Sequence, residues 1–194
     1  MASQGNTVLP GFHSPAAGFE QPFELLNACH ERVQRTLALL SRLQQHLKQH
    51  GCDAQARQAA LDVMRYFDIA APLHHEDEEL HVFPPLLRSA TSEIQQLVRN
   101  LKEDHQQMQL RWAHARATLC LVAEGEAGSW LPLSAEQSDT LQHFADLYAN
   151  HIEVEEQLVY PQAKMHLTSS EIDAMQNDMM QRRGANKTIQ INPQ

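Results

Sequence analysis

Cysteine is sparse in this chain and widely scattered: Cys29, Cys52 and Cys120 form no Cys-x-x-Cys pair. An odd number at such spacing excludes a closed disulfide framework and points to a reducing compartment. Aromatic residues make up only 6% of the chain, and Leu, Ala, Gln and Glu dominate. That balance favours helix over strand. No apolar run approaches the length of a membrane-spanning helix. The opening MASQGNTVLPGFHSPAAGFE lacks a basic segment followed by an apolar one, so no secretory leader is expected and the expected location is cytoplasmic. Basic residues are in deficit, 15 Lys and Arg against 24 Asp and Glu. The resulting formal charge of −9 argues against a nucleic-acid backbone or an anionic membrane as partner.

What is present is one domain's worth of chain, 194 residues and 42% hydrophobic. Residues 1–20 read as an irregular arm rich in Gly, Pro and Ser. Apolar stripes at three- and four-residue steps then predict four long helices. The first runs from Pro22 to His50, stopped by Gly51, and the second from Asp53 to Arg88, with bends expected at Pro72 and Pro84. The third runs from Ser92 to Glu124. After a loop over 125–133 a capping box at Ser134 opens the fourth, which ends near His166. The expected fold is all-α, an up-down-up-down four-helix bundle over 21–166. A short fifth helix from Ser170 to Arg183 and a mobile tail are expected within 167–194.

One pattern occurs twice. His74-His75-Glu76-Asp77-Glu78-Glu79-Leu80-His81-Val82-Phe83-Pro84 aligns with His151-Ile152-Glu153-Val154-Glu155-Glu156-Gln157-Leu158-Val159-Tyr160-Pro161. Both read His-x-x-x-Glu-Glu-x-x-x-aromatic-Pro. Each is preceded by a histidine on an apolar stripe, His30 and His105. Residues four apart on a helix share a face, so His74 with Glu78, and His151 with Glu155, point at one centre. Two carboxylates in a bundle core are costly to desolvate, and no basic residue on these stripes offsets them. Metal cations supply the missing positive charge, and a carboxylate can bridge two of them. Six residues are therefore the candidate ligands of two metal ions: His30, His74, Glu78, His105, His151 and Glu155. A single histidine of this kind is ordinarily a core residue; the paired arrangement argues otherwise.

His75 and Glu79 offer a competing His-x-x-x-Glu. His74 and Glu78 are preferred because they continue the Met64, Phe67, Ala71 stripe and align with His151 and Glu155. His75 corresponds to Ile152, which cannot ligate, and reads as a boundary residue or one that supports the ligands from behind. Tyr66 and Tyr148 are considered as hydrogen-bond donors to the site, with core packing the plainer reading. Pro84 and Pro161 are expected to bend the helices just past the ligands and so set the angle at which Glu78 and Glu155 enter.

Residues 20–165 resemble the hemerythrin-like HHE cation-binding family on the paired His-x-x-x-Glu-Glu-x-x-x-aromatic-Pro motif. The resemblance implies a centre of two non-haem iron ions with a bridging oxo or hydroxo group, held by the six residues above. It implies one iron on His30 and His151, the other on His74 and His105, and both carboxylates bridging. Oxygen-carrying hemerythrins add a fifth histidine four residues after the third-helix ligand; here that position is Gln109. A four-histidine set resembles instead members linked to nitric-oxide stress, repair of damaged iron centres, and iron or oxygen sensing. The implied partner is O2, NO or peroxide, with an external electron donor if the site turns over. The alternatives are a redox enzyme, an iron donor in stress repair, and a structural zinc or manganese ion.

Overall fold

The computed structural model describes residues 18–126 and 130–185. The expected arm therefore lies almost wholly outside the described residues, as do Gly128 of the expected loop and residues 186–194 of the expected tail. The described chain is helical throughout. Helix α1 is Pro22–His50, with Pro at its first turn and Gly51 at φ 75° closing it. Such a positive φ strains any residue but glycine. Helix α2 spans 54–89 and α3 is Ser92–Ala123. Helix α4 spans 135–166, and α5 is Ser169–Arg182. Side chains cap four of the five starts: Asp53, Thr91, Ser134 and Thr168 accept from backbone N–H groups in the first turn. The predicted boundaries of all five helices lie within one residue of those observed. No helix among the described residues is long and apolar enough to cross a membrane.

Neither α2 nor α4 is a uniform α-helix. Helix α2 widens into a π turn at Tyr66–Ala70 and again at Glu78–Val82, and α4 does so at Glu155–Val159. In each case the residue closing the π turn immediately precedes a proline: Ala71 before Pro72, Phe83 before Pro84, Tyr160 before Pro161. Proline has no N–H to donate and its ring crowds the carbonyl four residues back; one wider turn relieves both problems. The expected distortions therefore take the form of π turns, and two of them begin at the candidate ligands Glu78 and Glu155.

The core falls into two apolar clusters. One contains Val33, Leu40, Val63, Phe67, Met108 and Phe144. The other contains Leu26, Val82, Phe83, Val98, Val159 and Met179. The candidate site lies between them, with His30 one turn from Leu26 on one side and from Val33 on the other. Helix α5 closes the second cluster with Met175 and Met179, both fully buried. Its last turn, with Arg183 just past it, holds the buried Asp77 carboxylate between two guanidinium groups, those of Arg182 and Arg183.

Candidate metal centre

His30, His74, Glu78, His105, His151 and Glu155 are each at most 5% exposed. Asp77 and Thr118 are the other buried polar residues among those described. Helix α1 supplies His30, α2 supplies His74 and Glu78, α3 supplies His105, and α4 supplies His151 and Glu155. All four long helices thus converge at one level of the bundle.

The imidazoles fall into two groups. The His30 and His74 rings meet edge to face with centroids 4.7 Å apart. His105 Nε2 and His151 Nε2 are 3.2 Å apart. The first group that can hold a metal ion is His30, His74, Glu78 and Glu155, and the second is His75, His105 and His151. This corrects the expected pairing of His30 with His151 and His74 with His105. Helices joined by a short turn lie side by side, so each histidine of α1 or α3 meets the one on the next arm of its own hairpin.

The carboxylates join the two groups. Glu155 places Oε2 3.1 Å from His30 Nε2 and Oε1 3.1 Å from His151 Nε2. Glu78 places Oε1 3.5 Å from His74 Nε2 and Oε2 3.5 Å from His105 Nε2. Each carboxylate therefore turns one oxygen toward each histidine pair. Both oxygens of Glu155, together with Glu78 Oε2 and His74 Nδ1, are buried without a hydrogen-bond partner. Orphaned polar atoms of this kind cost roughly 1–3 kcal/mol each. A cation between the groups removes that cost for the carboxylates, so the donor set fits a metal.

The protons tell the same story. Burial, then repulsion from Glu155, holds the Glu78 carboxyl well above the usual range. Burial alone would do the same to Glu155, but His151, His105 and His30 outweigh it and keep Glu155 ionised. Burial would push His151 down; Glu155 and Asp104 reverse this and hold it at about 9. Burial and the neighbouring His30 and His75 push His74 well below 6.5. In the metal-free site the positive charge that balances Glu155 is thus a proton on His151.

Surrounding carboxylates orient the imidazoles. His30 Nδ1 donates to Glu156 Oε1 at 2.9 Å, and His105 Nδ1 donates to Glu79 Oε1 at 3.0 Å. The second Glu of each motif therefore crosses to the histidine of the other hairpin. His151 Nδ1 reaches Asp104 Oδ2 at 3.3 Å. Glu79, Glu156 and Asp104 are all more than a third exposed, so their desolvation costs little. The repeated Glu-Glu pair was their signal in the sequence; Asp104, next to His105, had none.

One further residue went unrecognised. Tyr160 donates its hydroxyl to Glu78 Oε1 in a short contact and lies 3.3 Å from His30 Nε2. Its ring stacks on His30, interplanar angle 8°, much as Phe83 lies over His105 at 25°. Tyr66 and Tyr148 take no such part: Tyr66 donates to the Cys29 carbonyl, and Tyr148 packs in the core beside Phe67 and Phe144, the plainer of the two readings. His75 is half-buried, as a boundary residue, and stacks on His105 with centroids 4.0 Å apart. It lines a cavity of about 470 Å³ together with Phe67, Glu79, His105, Gln109 and Trp112. That cavity is a route from outside to the second histidine group.

Two similarities to known proteins accompany this geometry. An uncharacterized protein of Haemophilus influenzae is 32% identical over 146 residues, 73% of this chain and 78% of the relative. Residues 21–163 match the hemerythrin HHE cation-binding domain, and the match spans all four long helices and every candidate ligand. The chain belongs to the hemerythrin HHE cation-binding family.

Proposed function

We propose that this chain is a non-haem di-iron protein that binds O2, NO or peroxide in the bundle core and serves sensing or stress response. The observation that carries the reading is the placement of Glu78 and Glu155, each with one oxygen toward each histidine pair. The ligands would be His30, His74, Glu78, His105, His151 and Glu155. Two irons with a bridging oxo or hydroxo group supply Lewis acidity and redox capacity when bound.

The chain's own residues do the rest. Glu79, Glu156 and Asp104 fix the ring orientations of three imidazoles. The two apolar clusters keep bulk water from the centre. Tyr160 holds a proton at its hydroxyl beside Glu78; burial and the Glu78 charge push its own ionisation far up. The cavity beside His75 admits a molecule of diatomic size. Free Cys29, Cys52 and Cys120 fit a reducing, cytoplasmic setting. Reduction of a bound molecule would draw on an external electron donor.

The test is an anaerobic ferrous titration followed by optical spectra as O2 and then NO are admitted. Two irons per chain and a band that reverses when O2 is removed are expected. Irreversible oxidation or release of N2O would point to the redox enzyme instead. Zinc with no affinity for iron would overturn the reading.

A further inference from the structure

We propose that His75 is the third imidazole ligand of the metal ion held by His105 and His151, taking the place that Gln109 cannot fill. The inference rests on the two-metal reading above. Its ground is the second histidine group itself: one ring nitrogen from each of His75, His105 and His151 lies within 4.8 Å of the others. His75 is stacked on His105, 11° from parallel, and its ring centroid is 6.2 Å from that of His151.

Partnering supports the assignment. Among the described residues, His105 and His151 each spend Nδ1 on a carboxylate, which leaves Nε2 facing the centre. His75 has no hydrogen bond or ion pair to either nitrogen among those residues, so either tautomer, and with it the lone pair of either nitrogen, remains available to it. A neutral imidazole packed against two others, with no acceptor of its own, is poorly placed as a structural residue and well placed as a ligand. Gln109 stands one turn beyond His105 and lines the same cavity. A neutral amide there is a weak donor to iron, whereas His75 reaches the same space from α2.

The assignment makes the two metal positions unequal. The first has four protein donors: His30, His74, Glu78 and Glu155. The second has His75, His105 and His151 plus one oxygen from each carboxylate, five in all. In the other hairpin the residue corresponding to His75 is Ile152, 4% exposed, which offers no donor. His75 and His105 are the proposed donors that line the cavity, so the second position is the one that faces it.

Anaerobic Co2+ titration of the full chain, read by its visible spectrum, tests this. The wild type is compared with His75→Phe, His75→Ala, Gln109→Ala and the double variant His75→Ala/Gln109→His. Phenylalanine keeps the stacked ring and removes the nitrogens. The wild type should bind two cobalt ions. In His75→Phe the ion at the His30 and His74 position should bind as before, while the ion at the His105 and His151 position binds at least tenfold more weakly with an altered spectrum. His75→Ala should behave likewise, Gln109→Ala should match the wild type, and the double variant should regain part of the lost affinity. Two ions bound by His75→Phe with unchanged affinity and spectrum would overturn the assignment and leave the two-metal reading standing. One ion bound by the wild type would overturn both.

Discussion

The hairpin α1–α2 and the hairpin α3–α4 carry the same motif, yet they are not equivalent where chemistry is concerned. Where the two sequences agree, the structures agree. Both helices open into a π turn at the ligand glutamate, both aromatic rings lie over the opposite pair's first histidine, and both second glutamates cross to the other hairpin. Where they differ, three of the differences change a polar contact at the centre. Asp104 supports His151, while its counterpart is Cys29 and His74 Nδ1 has no partner. Tyr160 brings a hydroxyl to Glu78, while Phe83 brings none. His75 faces the second histidine pair, while Ile152 closes the first. The repeat builds a symmetric frame, and a handful of single-residue departures make it lopsided.

The largest way to break the comparison is to remove a shared carboxylate. Glu155→Ala should abolish binding of the metal pair, since its oxygens serve both groups. The metal-free chain should lose less than the metal-loaded one, its loss being the buried pairing of Glu155 with His151 and His30. Melting with and without metal checks this: the wild type should gain about 2.7 kcal/mol at a hundredfold excess over Kd, and the variant nothing.

Next in size is proton occupancy, which separates the equivalent histidines His74 and His151. His151 is raised to about 9, so its contribution to the metal-free fold is complete below 6.5 and is lost as pH rises through about 9. That contribution is of the order of 3 kcal/mol. Glu78, also raised, acts in the same sense: its contribution is present below 4.5 and is lost as pH rises through its folded value. Glu155, lowered, acts on the acid side, and its contribution is lost as pH falls through its folded value. The metal-free chain should therefore weaken from pH 5 to pH 9 while metal affinity rises, because metal displaces those protons. Imidazole NMR titration should find His151 charged and His74 neutral at pH 7; equal titration of the two would contradict the asymmetry.

Smaller changes probe the crossed contacts. Glu79→Gln and Glu156→Gln should each cost roughly 10–100-fold in metal affinity. Each should act on the opposite hairpin's histidine, visible as a shifted resonance of His105 or His30 respectively. An effect confined to the same hairpin would undo the crossing. Tyr160→Phe makes the two halves alike at that position. It should keep the stacking on His30, cost about 1 kcal/mol for the lost hydrogen bond in the metal-free chain, and shift chiefly the spectrum of the metal held by His30 and His74.

Most of this frame was legible in the sequence because it rests on periodicity and caps. His30, His74, His105 and His151 lie on stripes whose remaining members are apolar, so their burial follows from helix geometry. Pro72, Pro84 and Pro161 announced the distortions, though not that they are π turns. What stayed hidden depends on how helices are rotated against one another. Periodicity places His75 off the stripe, but the π turn at Tyr66–Ala70 precedes it in the helix, and the ring stacks on His105. The acceptors Glu79, Glu156 and Asp104 lie on helices other than those of the rings they hold, and no single-helix pattern reveals such a contact. The same reason explains the corrected pairing of His30 with His74.

The most direct test of a carboxylate-bridged metal pair is iron K-edge absorption on the anaerobically loaded chain, with iron content measured on the same sample. The account predicts two irons per chain and a metal–metal vector of roughly 3–4 Å, both lost in Glu155→Ala. A single iron per chain, or two irons with no such vector, would contradict it.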